Sequence, residues 1–392
     1  MSGTRFYLFI FLWVWVGCAS DPSPAANDRA TQLSEPLPEE SADFRQYRHK
    51  WGYLDTLGRI AIPARWDELR DFNSGRAAVR TGGKWGMIDR TGRQIIEPTY
   101  KGLWDLHDGR ARYLTYDEKL GYVDADGKEI IAAEYDDAHD FSQGLARVLA
   151  GGQYGYLDRS GRMIIAPAYD RAGNFTDGYA VVQRAGKYGL IDTTGRLVLP
   201  LEYEKLEVPT EGLVRFRDGK QWGLLSLDGT TVLNADYEHL RPVRAGHIPA
   251  RQSGRWGLLD RSGEWTIAPK FERVFYLDEQ RWGIRQNEKY GIMTADGNWL
   301  VEPVFDQLHA FTEGRAAYAE GQLWGYLNRD GQRITPPQFG LNWAFREGLA
   351  RVAYAEGMGF ITPDGRLRLP PLPQVLDAGD FSEGLARVQV RQ

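Results

Sequence analysis

The chain has 392 residues, 42% of them hydrophobic and 12% aromatic, which is enough apolar surface to bury a core and excludes a fully disordered chain. Its 48 basic and 53 acidic residues leave a formal charge of -5, which offers no footprint for a phosphate backbone and argues against a nucleic-acid partner. A single cysteine excludes an internal disulfide and a cysteine-rich zinc site, so packing has to hold the fold.

In chain order, the first feature is an unbroken apolar run from Phe6 to Val16, behind one basic residue, Arg5, and ahead of Gly17-Cys18-Ala19-Ser20. It is shorter than the roughly 20 residues a spanning helix needs and has the length of a signal-peptide core. The small residue before Cys18 resembles a bacterial lipobox, with Trp15 where that pattern usually carries Leu. The resemblance implies a signal peptide over residues 1–17 and a lipid on the Cys18 thiol. Two or more acyl chains, at about 0.8 kcal/mol per buried methylene, anchor a protein stably. Residues 18–44 read as the lipidated cysteine and a flexible tether, because Ala19 to Asp43 is dominated by Ser, Pro, Ala, Asp and Glu and contains no aromatic residue.

Residues 45–392 are periodic. An apolar or aromatic residue followed by Gly recurs at Trp51, Trp85, Leu120, Tyr154, Tyr188, Trp222, Trp256, Tyr290, Trp324 and Met358, with steps of 34, 35 and then 34 seven times. Seven residues after each of these markers stands another Gly, from Gly58 to Gly365, and fifteen residues after stands an aromatic in every unit but the last. Such a period signifies a repeat array. Several glycines per unit and alternation such as Leu145-Ala146-Arg147-Val148 disfavour helix and favour short strands. Each unit parses as a three-stranded antiparallel meander: Gly144 to Val148, a turn at Gly151-Gly152, Tyr154 to Leu157, a turn at Asp158-Arg159-Ser160-Gly161, and a third strand from Arg162 that runs out at Pro167. Sheets of this size are marginal alone, so neighbouring units have to stack.

The segments Trp51-Gly52-Tyr53-Leu54-Asp55, Trp85-Gly86-Met87-Ile88-Asp89, Phe141-Ser142-Gln143-Gly144-Leu145-Ala146-Arg147-Val148 and Phe381-Ser382-Glu383-Gly384-Leu385-Ala386-Arg387-Val388 resemble the bacterial WG repeat family, here in a lipoprotein setting. The resemblance covers about residues 45 to 392 and implies an all-β fold, but it brings no settled activity. The array starts in mid-unit at Trp51 and ends on a strand lacking the Trp-Gly strand that follows it elsewhere, so each end holds the half that the other lacks. A propeller-like ring, in which those halves pair, is expected; an open superhelical stack is the alternative.

No catalytic residue, metal site or cofactor is assigned. The recurrent turn Asp reads as turn chemistry, since Ser226, Thr294 and Asn328 also occupy its place. The six histidines lack zinc or triad spacing, and neither G-x-S-x-G nor a phosphate loop is present. The marker aromatics and those fifteen residues on are expected as core layers. Function is sought where the frame is kept but the residue varies. Nineteen residues after each marker, at what we call the rim position, stand Arg70, Trp104, His139, Gly173, Glu207, Arg241, Phe275, His309, Trp343 and Asp377. Trp104, His139, Arg241, Phe275, His309 and Trp343 suit anchoring a partner or stacking on sugars. The units between about Lys205 and Arg285 depart most from the pattern, with Pro209-Thr210-Glu211 and an additional Trp282-Gly283. The expectation is a lipid-anchored, non-catalytic envelope module for protein-protein interaction or scaffolding, on the outer or another periplasm-facing membrane. A carbohydrate or peptidoglycan binder is the alternative, and an enzyme with a site assembled across repeats the third.

Overall fold

The computed structural model describes residues 49–391. The expected leader, Cys18 and the tether lie outside these. Every regular element among the described residues is a β-strand, and the strands form ten four-stranded antiparallel sheets. The sheets are the blades of a β-propeller. Blade 1 spans residues 68–100, and blades 2 to 9 follow in order, beginning at residues 102, 137, 171, 205, 239, 273, 307 and 341. Blade 10 is composite: Val375–Ser382 and Leu385–Val390 pair with Lys50–Asp55 and Ile60–Trp66. Six residue pairs, from Lys50 opposite Val390 to Asp55 opposite Leu385, join the two chain ends. The ring therefore closes, the open stack is excluded, and the seam strands have no free edge.

Blade 3 shows the local logic. Leu145–Ala150 and Gln153–Asp158 form an uninterrupted hairpin through Gly151 and Gly152, both at positive φ. At the next turn the Asp158 carboxylate accepts from the backbone N–H groups of Ser160 and Arg162 at 2.9 and 3.0 Å and from the Ser160 hydroxyl at 2.6 Å. Gly161 takes φ +90° there, a conformation that costs an L side chain roughly 1–2 kcal/mol. The third long strand does not stop at Pro167: it runs from Met163 to Tyr169. Tyr156 faces Ile165 while Tyr154 faces Tyr169, so the extra residues form a bulge that needs no N–H from Pro167. The fifteen-residue spacing is this cross-strand pair, repeated at Trp51 with Trp66, Trp85 with Tyr100, and Trp324 with Phe339.

A fourth strand, Asp137–Ala138, adds to the three expected from sequence. It is two residues long in most blades, too short to carry an alternation signal, and longer at Gly102–His107, Arg273–Asp278 and Val375–Ser382. The core is interblade. Tyr156, Ile165 and Tyr169 of blade 3 pack with Phe175, Ala180, Val182 and Ile191 of blade 4. The aromatics fifteen residues after the markers are mostly buried; the markers themselves, apart from the buried Leu120, are half-buried, and those such as Trp51 and Trp324 lie against these clusters, covering the core rather than filling it. Trp282 is wholly buried in the second strand of blade 7, a register that holds Ala146, Ala180 and Ala316 elsewhere. The additional Trp-Gly is thus a core substitution and no extra unit.

Side chains latch blade to blade. Gly75 donates its N–H to Glu383 across the seam at 2.9 Å, Gly348 to Glu313 at 2.9 Å, Gly246 to Glu211 at 2.9 Å, and Gly178 to the Gln143 carbonyl at 2.8 Å. The seam also holds the Ser382 hydroxyl, which donates to the Phe72 carbonyl at 2.6 Å.

Candidate interaction rim

In most blades the rim residue follows the short first strand directly and continues its ladder, His139 N–H donating to the Arg147 carbonyl at 3.1 Å and Trp343 N–H to the Arg351 carbonyl at 3.1 Å. Trp104, Phe275 and Asp377 lie within the longer first strands of blades 2, 7 and 10. The rim carbonyl often receives a tyrosine from the preceding blade, as Tyr122 to His139 at 2.6 Å, Tyr156 to Gly173 at 2.8 Å and Tyr326 to Trp343 at 2.8 Å. Where the tyrosine is present the rim backbone is fixed from two blades, and the repeat brings the rim residue back once in every blade. The six residues selected from sequence do not converge on one point; each sits on its own blade, in consecutive blades 2–3 and 6–9.

What each rim side chain does depends on the residue across the ladder, which sequence reasoning did not single out. In blades 3, 5 and 9 that neighbour is Arg147, Arg215 or Arg351, in blade 2 Arg112 lies against Trp104, and in blade 10 Asp377 faces Gln389 instead. Arg112, Arg147 and Arg215 reach forward to the carbonyls of Ala138, Ala172 and Leu240 in the next blade. These arginines tie the blades together, and the rim residues cover them. Trp104 lies 4.2 Å from the Arg112 guanidinium and Trp343 3.9 Å from that of Arg351. His139 accepts from Arg147 at 3.0 Å and contacts the Asp137 carboxylate at 3.2 Å. Burial, then the Arg147 charge, hold the His139 pKa below the usual histidine value.

Blades 6, 7 and 8 differ. Arg241, Phe275 and His309 stand across from Pro249, Gly283 and Ala317. Their side chains lean on the marker rings instead: the Arg241 guanidinium is 4.9 Å from Trp256, Phe275 is edge-on to Tyr290 at 6.0 Å, and His309 is 4.7 Å from Trp324. Burial lowers the His309 pKa. Among the described residues no group of three or more His, Cys, Asp or Glu is arranged to hold a metal ion. Asp89, Asp158 and Asp192 are held at about 2, chiefly by the Thr or Ser hydroxyl two residues on within their own turns.

No helix among the described residues is long and apolar enough to cross a membrane. No curated protein sequence matches this one. Solved structures resembling it include a eukaryotic initiation factor, at 11% identity over 75% of this chain and 95% of that one, with a TM-score of 0.49. BamB from Moraxella catarrhalis matches at 13% identity over 82% and 96%, with a TM-score of 0.32, and Hsv2 from Kluyveromyces lactis at 11% over 68% and 97%, with 0.33. The WG containing repeat is found at residues 51–85, 85–117, 121–154, 154–188, 188–222, 256–290, 290–324, 324–354 and 358–392. Those segments span well over half of the chain, which belongs to the WG-repeat family.

Proposed function

We propose that this protein is a non-catalytic interaction module of the cell envelope, anchored on a periplasm-facing membrane through a lipid on Cys18, and that its rim recognises a protein partner. One observation carries the reading: the backbone frame is repeated around a closed ring, while the rim position takes Arg, Trp, His, Gly, Glu, Phe and Asp. A rigid scaffold with one chemically variable position suits recognition, and variable loops on such scaffolds are where binding concentrates. The recurrent turn carboxylates are engaged by their own turns, which favours binding over chemistry.

A carbohydrate ligand is the second reading, favoured by the half-buried Trp256 and Trp324 with the rim residues on their faces. The test uses the full chain in its native host. Metabolic labelling with a fatty-acid analogue should mark the wild type and fail for Cys18→Ala; equal labelling refutes the anchor. In-cell crosslinking followed by purification should yield a defined protein adduct, whereas a chain that gives none and binds on a glycan array replaces the protein partner by a sugar.

A further inference from the structure

The two sides of the ring treat rim cations differently. From blade 9 through the seam to blade 3, arginines stand beside carboxylates: Arg351 with Asp380 at 3.4 Å, Arg387 with Asp71 at 3.2 Å and Arg112 with Asp140 at 3.5 Å. Arg215 of blade 5 pairs with Glu207. In blades 6 to 8 the residue after the rim position is Pro242, Tyr276 or Ala310, where blades 1 to 3 carry Asp71, Asp105 and Asp140. Arg241 lies over Trp256, and Arg273 lies over Phe275 at 5.4 Å. Among the described residues neither guanidinium has a carboxylate within ion-pair distance, and the Arg241 Nε is buried without a hydrogen-bond partner. Burial, and then the positive charges of Arg273 and Arg215, push the Arg241 pKa down. An anion arriving here relieves repulsion and has no resident carboxylate to displace.

We propose that the arc of blades 6 to 8 is the docking site for an acidic segment of the partner, its carboxylates received by Arg241 and Arg273 and its apolar side chains by Trp256, Phe275 and Trp324. This rests on the ring being a protein-interaction module. Arginine suits the role because its planar fork can take a carboxylate in two hydrogen bonds while stacked on a ring. Phe275, half-buried beside Arg273, supplies apolar surface that separates an acidic peptide from a bare polyanion.

The test is fluorescence anisotropy on the purified full chain with a short fluorescein-labelled peptide of alternating Glu and Leu, its Gln counterpart, and polygalacturonate as competitor. The Glu peptide should bind and the Gln peptide should not. Arg241→Gln with Arg273→Gln should weaken binding on the order of tenfold or more, about 1.4 kcal/mol per decade. Arg70→Gln is the matched control, since Arg70 holds the same rim position over Trp85 at 5.3 Å but has the Asp105 charge near it. It should leave binding unchanged. Equal loss in the control, equal binding of both peptides, or polygalacturonate binding preferred over peptide overturns the proposal. If the crosslinked adduct in cells survives the double substitution, the arc assignment fails while the interaction reading stands; if no adduct forms at all, the interaction reading fails first.

Discussion

His139 and His309 hold the same frame position on different blades, and both stay below the usual histidine range. For His139 burial acts first and the Arg147 charge adds to it, against Asp137; for His309 burial is the cause. An unfolded chain therefore binds these protons more readily than the ring does, so their contribution to stability is present above pH 6.5 and is lost as the pH falls through the folded values. Urea unfolding between pH 7.5 and 5 should show a steeper decline for the wild type than for His139→Gln combined with His309→Gln. Parallel profiles would mean that neither imidazole is held below its unfolded-state pKa by the ring. The rim position itself was legible as a place where chemistry varies, because the frame around it is constant. Its different uses were not, since they depend on cross-ladder partners: Arg147 lies eight residues from His139, and Gly283 eight from Phe275.

At the scale of strands, the glycine after each marker illustrates a requirement that sequence displays without explaining. Gly155 has no positive φ; a Cβ there would lie 2.6 Å from the Ile165 carbonyl oxygen and 2.8 Å from the Pro167 nitrogen, where the bulged third strand crosses it. Backbone cannot give way as a flexible side chain can, so Gly155→Ala should cost about 1–3 kcal/mol in urea unfolding. Gly152→Ala, at φ +81° with nothing within 4 Å of the added carbon, should cost only the left-handed strain of about 1–2 kcal/mol. A larger loss at Gly152 than at Gly155 would place the constraint in the hairpin and not in the bulge. The three long strands and both turns were readable from alternation and glycine spacing. The fourth strand was not, because two residues such as Asp137–Ala138 hold no periodicity, and the Pro167 bulge was missed because proline ordinarily ends a strand.

For the whole molecule, the split repeat was the legible sign of closure, and the six pairs between Lys50–Asp55 and Leu385–Val390 realise it. The Glu383 latch to Gly75 and the Ser382 bond to the Phe72 carbonyl reinforce the same seam. Removing residues 380–392 deletes the strand Leu385–Val390 and the end of Val375–Ser382 and exposes Lys50–Asp55, so the truncated chain should lose a large part of its cooperative unfolding transition. Mere fraying of the terminus, with the main transition unmoved, would contradict a ring whose seam is structural. Charge asymmetry around the ring was hidden in a net charge of -5, because it arises from which blades place Asp after the rim position and which do not. The interaction account is tested most directly by a photo-crosslinking amino acid placed at Phe275 in the full chain in its native host. A discrete protein adduct should form and disappear when Arg241→Gln and Arg273→Gln are added, with no comparable adduct from Gly173 on blade 4. No protein adduct from Phe275, or one equally strong from Gly173 and indifferent to the two arginines, would contradict it.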